Sequence, residues 1–581
     1  MKKNIITLSL FVLSGIFFVG IAIFAEKIGL DKNPGNWSRT RIFVLVIGLI
    51  LVLFPFVYLR FRPVFLNMWQ VFLQYAQEIR VIKWLWRRDS IQYVSRIIKN
   101  YSFALPILLF IFIFYIWLVS SGTWTEWVSP SRFYASLAKG FEYKSLSVAM
   151  TPDPRLAELE NPYDPKNWRG TIEVPMDISY YKGRFYLYWG PAPAFLLFLL
   201  HPFYSGRIGD LQLAFVFICG IFLFQYMFVL ALWDRFFSHL PRWLLQISLV
   251  LTGLACPLTF MLAAFKGARI YEAAISSGQF FLLAGFLVAV TALNKGLVSA
   301  CLRFFIAGIL WALSFGSRMT LIFPVALLSL MVAYWFYKEK QSLRPSVVKL
   351  FFLGLPLGIG AASIGWYNWA RFGSVTEAGL YYQLTAGLYL QKYNKELIDP
   401  IYALQNIYNY LFYPFDISAQ FPFFSPRYTY DVPVFSFYPL PELYSGQWST
   451  GLLWTVPFIL FSLIPLVLLL KKQPSIQFAQ EEQKRLDWVI LAMTLGFLGA
   501  FVFLLIFFWA AVRYQADFMP FLLMLSIVGF WQGYQLFSEK EIQRRIYVVL
   551  GVVLAGVSIV NSTLLALAVN DARFLLLNIF Q

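Results

Sequence analysis

The sequence predicts an all-α fold, a polytopic bundle of transmembrane helices with two long extracytoplasmic loops. Three observations predict it. The 581-residue chain is 60% hydrophobic and 20% aromatic, with only 13% charged residues. Its apolar residues gather into runs, most of them near the length of about 18 to 25 residues that a helix needs to cross hydrocarbon. The runs are continuous rather than alternating, which excludes a membrane barrel, the other structure that satisfies its own backbone in lipid.

In order, the runs fall at 5–24, 42–59, 103–119, 211–232, 244–264, 279–293, 302–316, 320–337, 349–368, 451–470, 487–508, 519–536 and 546–568, about thirteen spans. The first follows Lys2 and Lys3 and looks like a signal sequence. Its apolar stretch is longer than a usual signal core and no A-x-A site follows, so an uncleaved first span is expected. Segment 60–100 carries Arg60, Arg62, Arg80, Lys83, Arg87, Arg88, Arg96 and Lys99 against Glu78 and Asp89. Segment 338–349, the Lys471–Lys472 pair and the Lys540, Arg544, Arg545 cluster are basic too. All fall on one side if the short run 193–204, broken by His201 and Pro202, lies at the interface without crossing. Basic loops stay cytoplasmic. The N-terminus is then cytoplasmic, the C-terminus is extracytoplasmic, and the loops 120–192 and 369–450 face outward.

The net charge of +18 is spread over these short loops, so it marks topology and not a nucleic-acid partner. Cys219, Cys256 and Cys301 sit in or beside apolar runs, an odd set that fits neither a disulfide framework nor a metal site. With His201 and His239 as the only histidines, no zinc site is expected. The chain shows no glycine-rich phosphate loop on a strand, so no nucleotide site and no definite cofactor is implied.

Chemistry is expected where polar residues collect at the outer ends. The first outer loop opens SSGTWTEWVSP, with Glu126 near the membrane surface, and closes on EVPMDISYYKGRFYLYWGPAPAFLL. In that second stretch Asp177, Tyr180, Tyr181 and Arg184 stand among aromatic rings that can stack on sugars. FKGARIYEAAISSG places Lys266, Arg269 and Glu272 on an outer hairpin. GSRMT adds Arg318, WYNWARFGSVTEAG adds Arg371 and Glu377, and WAAVRYQADFMP adds Arg513 and Asp517. A single cation at a span end snorkels to headgroups. Four arginines on one face read as a phosphate-binding mouth, because guanidinium forks match phosphate oxygens. Asp177 also admits a plain reading as a turn or cap residue, and Glu126 as a solvated loop acid. Asp153 and Asp164 lie in Pro-rich turns, TPDPR and NPYDPK, and read as structural.

The stretches NPYDP, DISYYKGRFYLYWGPAPA, RIYEAAISSGQFFLLAG, GSRMT, YNWARFGSVTEAGLYYQLT and RYQADFMP, spread over 120–520, resemble a poorly characterised bacterial branch of the GT-C superfamily of membrane glycosyltransferases. The resemblance implies a multi-pass enzyme of the bacterial plasma membrane that moves a sugar from a polyprenyl-phosphate carrier to a glycan, lipid or protein acceptor on the extracytoplasmic face. It implies a GT-C-like domain over 101–581, with 1–100 a two-span addition plus the basic segment. The superfamily's usual Asp, or Asp-Glu pair, at the start of the first outer loop is missing, and Glu126 is the nearest substitute. Glu126 or Asp177 would then be the catalytic base, and Lys266, Arg269, Arg318, Arg371 and Arg513 would hold the lipid phosphate. Tyr180, Tyr181, Arg184 and Glu272 would contact substrate. A divalent cation could join the acidic loop, though nothing demands one.

Rival readings are a lipid or glycan transporter or flippase, an O-antigen ligase or polymerase type of enzyme, and a scaffold without catalysis. A transporter usually shows ionisable residues near the midplane; here the spans are almost free of central charge. A ligase is expected to carry one dominant late loop, and 369–450 is aromatic and Pro-rich with few cations.

Overall fold

A computed structural model describes residues 2–25, 37, 41–56, 60, 100–125, 127, 129–175, 177–201, 208–263, 269–385, 389–435, 438–471 and 480–569. Among them eight helices are long and apolar enough to cross a membrane. This falls short of thirteen spans by length and composition, although every predicted run whose residues are described is helical wholly or in pieces. The described helices of nine or more residues are, in chain order, α1 (Lys2–Phe24), α2 (Arg41–Phe56), α3 (Ala104–Val119), α4 (Phe133–Glu142), α5 (Ala192–Leu200), α6 (Asp210–Leu232), α7 (Arg242–Leu254), α8 (Ile270–Ala292), α9 (Leu297–Ser317), α10 (Ile322–Lys338), α11 (Leu343–Phe372), α12 (Leu463–Lys471), α13 (Gln480–Leu505), α14 (Met519–Leu536) and α15 (Glu541–Val569).

Two predicted spans are broken. The run 244–264 stops at Leu254 and resumes as Leu258–Leu262 after Pro257, and the run 451–470 is a helix Leu452–Thr455, a 3-10 segment Pro457–Ser462 and then α12. Proline has no N–H to give to a helix ladder, which accounts for both breaks. The predicted hairpin 265–278 is also corrected, because Ile270 onward is the start of α8. Its polar residues fit a helix because they bond to the helix itself: Ser276 Oγ donates to the Glu272 carbonyl at 2.6 Å and Ser277 Oγ to the Ala274 carbonyl at 3.0 Å.

Helix α8 packs against α6 and α9, and α9 against α11. Trp311 of α9 is fully buried and donates its indole N–H to the Leu282 carbonyl of α8 at 3.1 Å, so a polar atom at membrane depth is satisfied. Helix α11 ends at Gly373, whose left-handed φ of 76° closes it.

The loops are not purely irregular. Within 120–192, β1 (Ile178–Tyr181) and β2 (Arg184–Tyr186) form a hairpin in register Tyr181 to Arg184 and Ser179 to Tyr186. Its two-residue turn, Lys182–Gly183, has positive φ at both positions (46° and 73°), the geometry that lets antiparallel strands keep their right-handed twist. A short strand from the second loop, β3 (Gln383–Leu384), pairs with β1 antiparallel, Ser179 opposite Gln383. The two long loops are therefore joined in one three-stranded sheet.

Candidate active site at the loop-covered end

Asp177 lies one residue before β1. Its N–H donates to the Leu384 carbonyl at 3.0 Å and its Oδ1 accepts from the Gln383 side chain at 3.1 Å, so both loops hold it. Its backbone is left-handed, φ 60°, a conformation that non-glycine residues seldom adopt and Asp tolerates better than most. Burial pushes the Asp177 carboxyl up to about 6, against the opposing pull of the Arg513 guanidinium and the Gln383 amide. An unusual backbone and a desolvated carboxyl thus coincide at this one residue.

The chain beyond β2 runs back over this residue. Tyr188 stacks on Trp189 with ring centroids 3.9 Å apart, and Trp189 meets Tyr271 of α8 edge-on at 5.1 Å. Gly190 follows, and a side chain there would run into the carbonyl oxygen of Gly316, at the end of α9. The absent side chain lets the WGPA turn lie on the GSR turn and brings Tyr188 within reach of the charges of Asp177, Arg318 and Arg513.

Arg318 and Arg513 form the cationic wall. Arg318 Nε donates to Asp517 Oδ2 at 2.6 Å, with the acid fully buried, and its guanidinium lies 4.9 Å from the Tyr514 ring. Arg513 bonds to the Gln447 side chain and covers the Tyr271 ring at 4.2 Å. Among the described residues Arg513 Nε, Asp517 Oδ1 and Glu272 Oε2 are buried without a hydrogen-bond partner. A void of about 20 Å³ lies between Arg269, Glu272 and Arg513, room for one water.

Arg269 and Glu272 sit beside this wall, 4.0 Å apart and both buried. Arg269 gives a guanidinium N–H to the Met261 carbonyl, and its backbone N–H goes to Ser131 Oγ at 2.9 Å. Ser131 leads to a residue that sequence reasoning passed over. Its hydroxyl donates to Asp210 Oδ2 at 2.6 Å, and Asp210 also accepts from the N–H groups of Phe133 (3.0 Å) and Tyr134 (3.2 Å). Asp210, 1% exposed, therefore anchors the start of α4 to the start of α6. The signal was present in GDLQ, an acid opening an apolar run.

Other candidates stand elsewhere. Each guanidinium nitrogen of Arg371 has a partner within the fold: Nε donates to the Tyr367 carbonyl (3.2 Å), NH1 to the Leu187 carbonyl (2.6 Å) and NH2 to Asn368 Oδ1 (2.8 Å) and the Ala378 carbonyl (3.3 Å). Tyr180 is buried against Phe185, Tyr181 packs on Tyr382 at 4.5 Å, and Arg184 is exposed at the hairpin end. These three build the sheet that carries Asp177. Glu126 and Lys266 lie outside the described residues. Among the described residues no three His, Cys, Asp or Glu side chains gather as a metal site.

No family model matches the chain, and no curated protein matches it. Two solved structures are similar, both of an oligosaccharyltransferase from Archaeoglobus fulgidus. The archaeal oligosaccharyltransferase AglB, in complex with an inhibitory peptide and a dolichol-phosphate, is 14% identical, with 81% of this chain covering 56% of that one at a TM-score of 0.40. The A. fulgidus enzyme tethered to an acceptor peptide is 14% identical over 82% and 56%, at a TM-score of 0.37. This chain thus spans little more than half the length of either. The reading of the site rests on its own geometry.

Proposed function

We propose that this chain is a membrane glycosyltransferase that moves a sugar from a polyprenyl-phosphate carrier to an acceptor at the loop-covered face. The observation that carries the reading is Asp177, a half-buried carboxyl pushed up to about 6 by desolvation, held by both loops beside a wall of arginines. An acid of that kind can take the acceptor hydroxyl's proton as the anomeric carbon is attacked, since a base works best with a pKa near the working pH. Arg513 and Arg318 stabilise the phosphate that leaves with the lipid, an electrostatic role strengthened by their burial. Arg269 supports that wall, and Tyr188 and Trp189 offer ring faces to a sugar. A single displacement inverts the anomeric centre. Glu126 is the alternative base.

The test is transfer from a synthetic polyprenyl-phosphate sugar by purified protein, comparing wild type, Asp177→Asn and Glu126→Gln. Loss of transfer by about 100-fold or more in Asp177→Asn, within the span expected for a general base, supports the assignment. Loss in Glu126→Gln alone moves the base to that residue. Activity unchanged in both removes the catalytic reading.

A further inference from the structure

A large groove lies at the opposite end of the helices. Between α6, α8, α9, α10 and α13 runs a groove of about 1260 Å³, larger than the roughly 300–1,000 Å³ of ordinary ligand pockets. Its walls are apolar, with Phe224, Phe280, Ala284, Leu287, Leu310 and Trp335 among them. Along α8 it extends from Phe280 to Thr291, about 16 Å at 1.5 Å per residue. That is close to the depth of one leaflet, half of a hydrocarbon core of about 30 Å. The other end of α8, at Ile270, adjoins Arg269 and the candidate active site.

The mouth of the groove is charged. Among the described residues Arg235, Lys295, Arg303 and Arg485 stand there against Asp234 and Glu482, an excess of positive charge. Glu482 is already taken, accepting from Arg235 at 2.8 and 2.9 Å and from Arg485 at 3.1 Å, and Asp234 accepts from the Tyr101 hydroxyl at 2.9 Å. Arg303 meets a neutral group, Thr291 Oγ1, at 2.7 Å. An apolar slot one leaflet deep with a cationic rim has the complement of an anionic phospholipid, chain inward and phosphate at the rim. Basic pockets between helices at the basic-loop side of a membrane protein hold such head groups.

We propose that this groove binds an anionic phospholipid of the leaflet at the basic end, its acyl chain along α8 and its phosphate on Arg303 and Lys295. The site is separate from the candidate active site and does not depend on the glycosyltransferase reading. A neutral lipid of the same chains would fit the slot but gain nothing at the rim.

The experiment is thermal unfolding and native mass spectrometry of the full chain in a neutral maltoside detergent. The probes are phosphatidylglycerol, phosphatidylcholine with identical chains, and inorganic phosphate. The expected result is one retained phosphatidylglycerol and a rise in Tm with that lipid alone. A Lys295→Gln, Arg303→Gln double variant should weaken its binding at least tenfold. Leu287→Trp, which fills the slot while leaving the rim, should weaken both lipids; Val288→Trp serves if Leu287→Trp fails to fold. Equal response to both lipids from the wild type, or an unchanged response in the double variant, overturns the proposal. A shift reproduced by inorganic phosphate assigns the rim to a free anion and overturns it too.

Discussion

Asp177 combines two costs in one side chain. A raised folded pKa means that the folded protein holds this proton more tightly than the unfolded chain does. Ionisation is therefore what opposes folding. The penalty is absent below about pH 4, the unfolded value, grows as the pH rises to about 6, and is constant above. Its size is roughly 3 kcal/mol, at about 1.4 kcal/mol for each pH decade between the two values. Asp177→Asn should accordingly be more stable than wild type above pH 6, by up to about that amount, and equal to it near pH 4. Denaturation in detergent across that range checks it. If Asp177 is the base, wild-type kcat/KM should fall tenfold per pH unit below about 6, the folded pKa. A rate profile flat through that region argues for another base.

The Arg318–Asp517 pair calls for a different test, because the buried acid holds a guanidinium as its countercharge. Asp517→Asn leaves Arg318, 11% exposed, without its countercharge. Breaking a buried pair by removing one partner costs about 3–5 kcal/mol. A lowered Tm measured alongside transfer separates this loss of stability from a loss of catalysis.

The sheet that joins the two long loops does more for the site than its few residues indicate. Gln383 enters from the second loop, and its amide, as donor to Asp177 Oδ1, favours the ionised acid. Gln383→Leu should raise the Asp177 pKa further and move the acid limb of the rate profile to higher pH. The same substitution would leave that limb in place if the second loop were only a cover. The WGPA turn is the other element on which the site depends. Gly190→Ala should displace Tyr188 and Trp189 from the GSR turn, since the new methyl meets the Gly316 carbonyl. An overpacking cost of about 1–3 kcal/mol and a loss of transfer with stable expression are expected.

Across the membrane, the helices sort polar chemistry to one end and basic loops to the other. The positive-inside rule predicts a cytoplasmic location for the end bearing Lys338, Lys340 and Arg344. Lys166 and Lys340 are both exposed, and the native Cys256 and Cys301 are buried. A membrane-impermeant maleimide should label Lys166→Cys in intact cells and Lys340→Cys only after permeabilisation. The reverse pattern would put the candidate site in the cytoplasm, out of reach of an extracytoplasmic acceptor.

The helices were legible from the amino acids because lipid leaves the backbone one local solution, and a continuous apolar run is a local property. Breaks at Pro257 and Pro457 were legible in principle for the same reason. The charges of DISYYKGRFYLYWGPAPA stand out in an apolar chain, and they single out Asp177. Its partner is not singled out in this way, since Gln383 lies 206 positions away and pairs through a strand only two residues long. Arg371 and Arg318 looked alike, both cations at span ends. Packing gave one to the Leu187 carbonyl and the other to an acid 199 positions away. Apolar periodicity records which residues face lipid, whereas the meeting of two distant polar groups depends on how loops close over the helices, and only the folded arrangement supplies that.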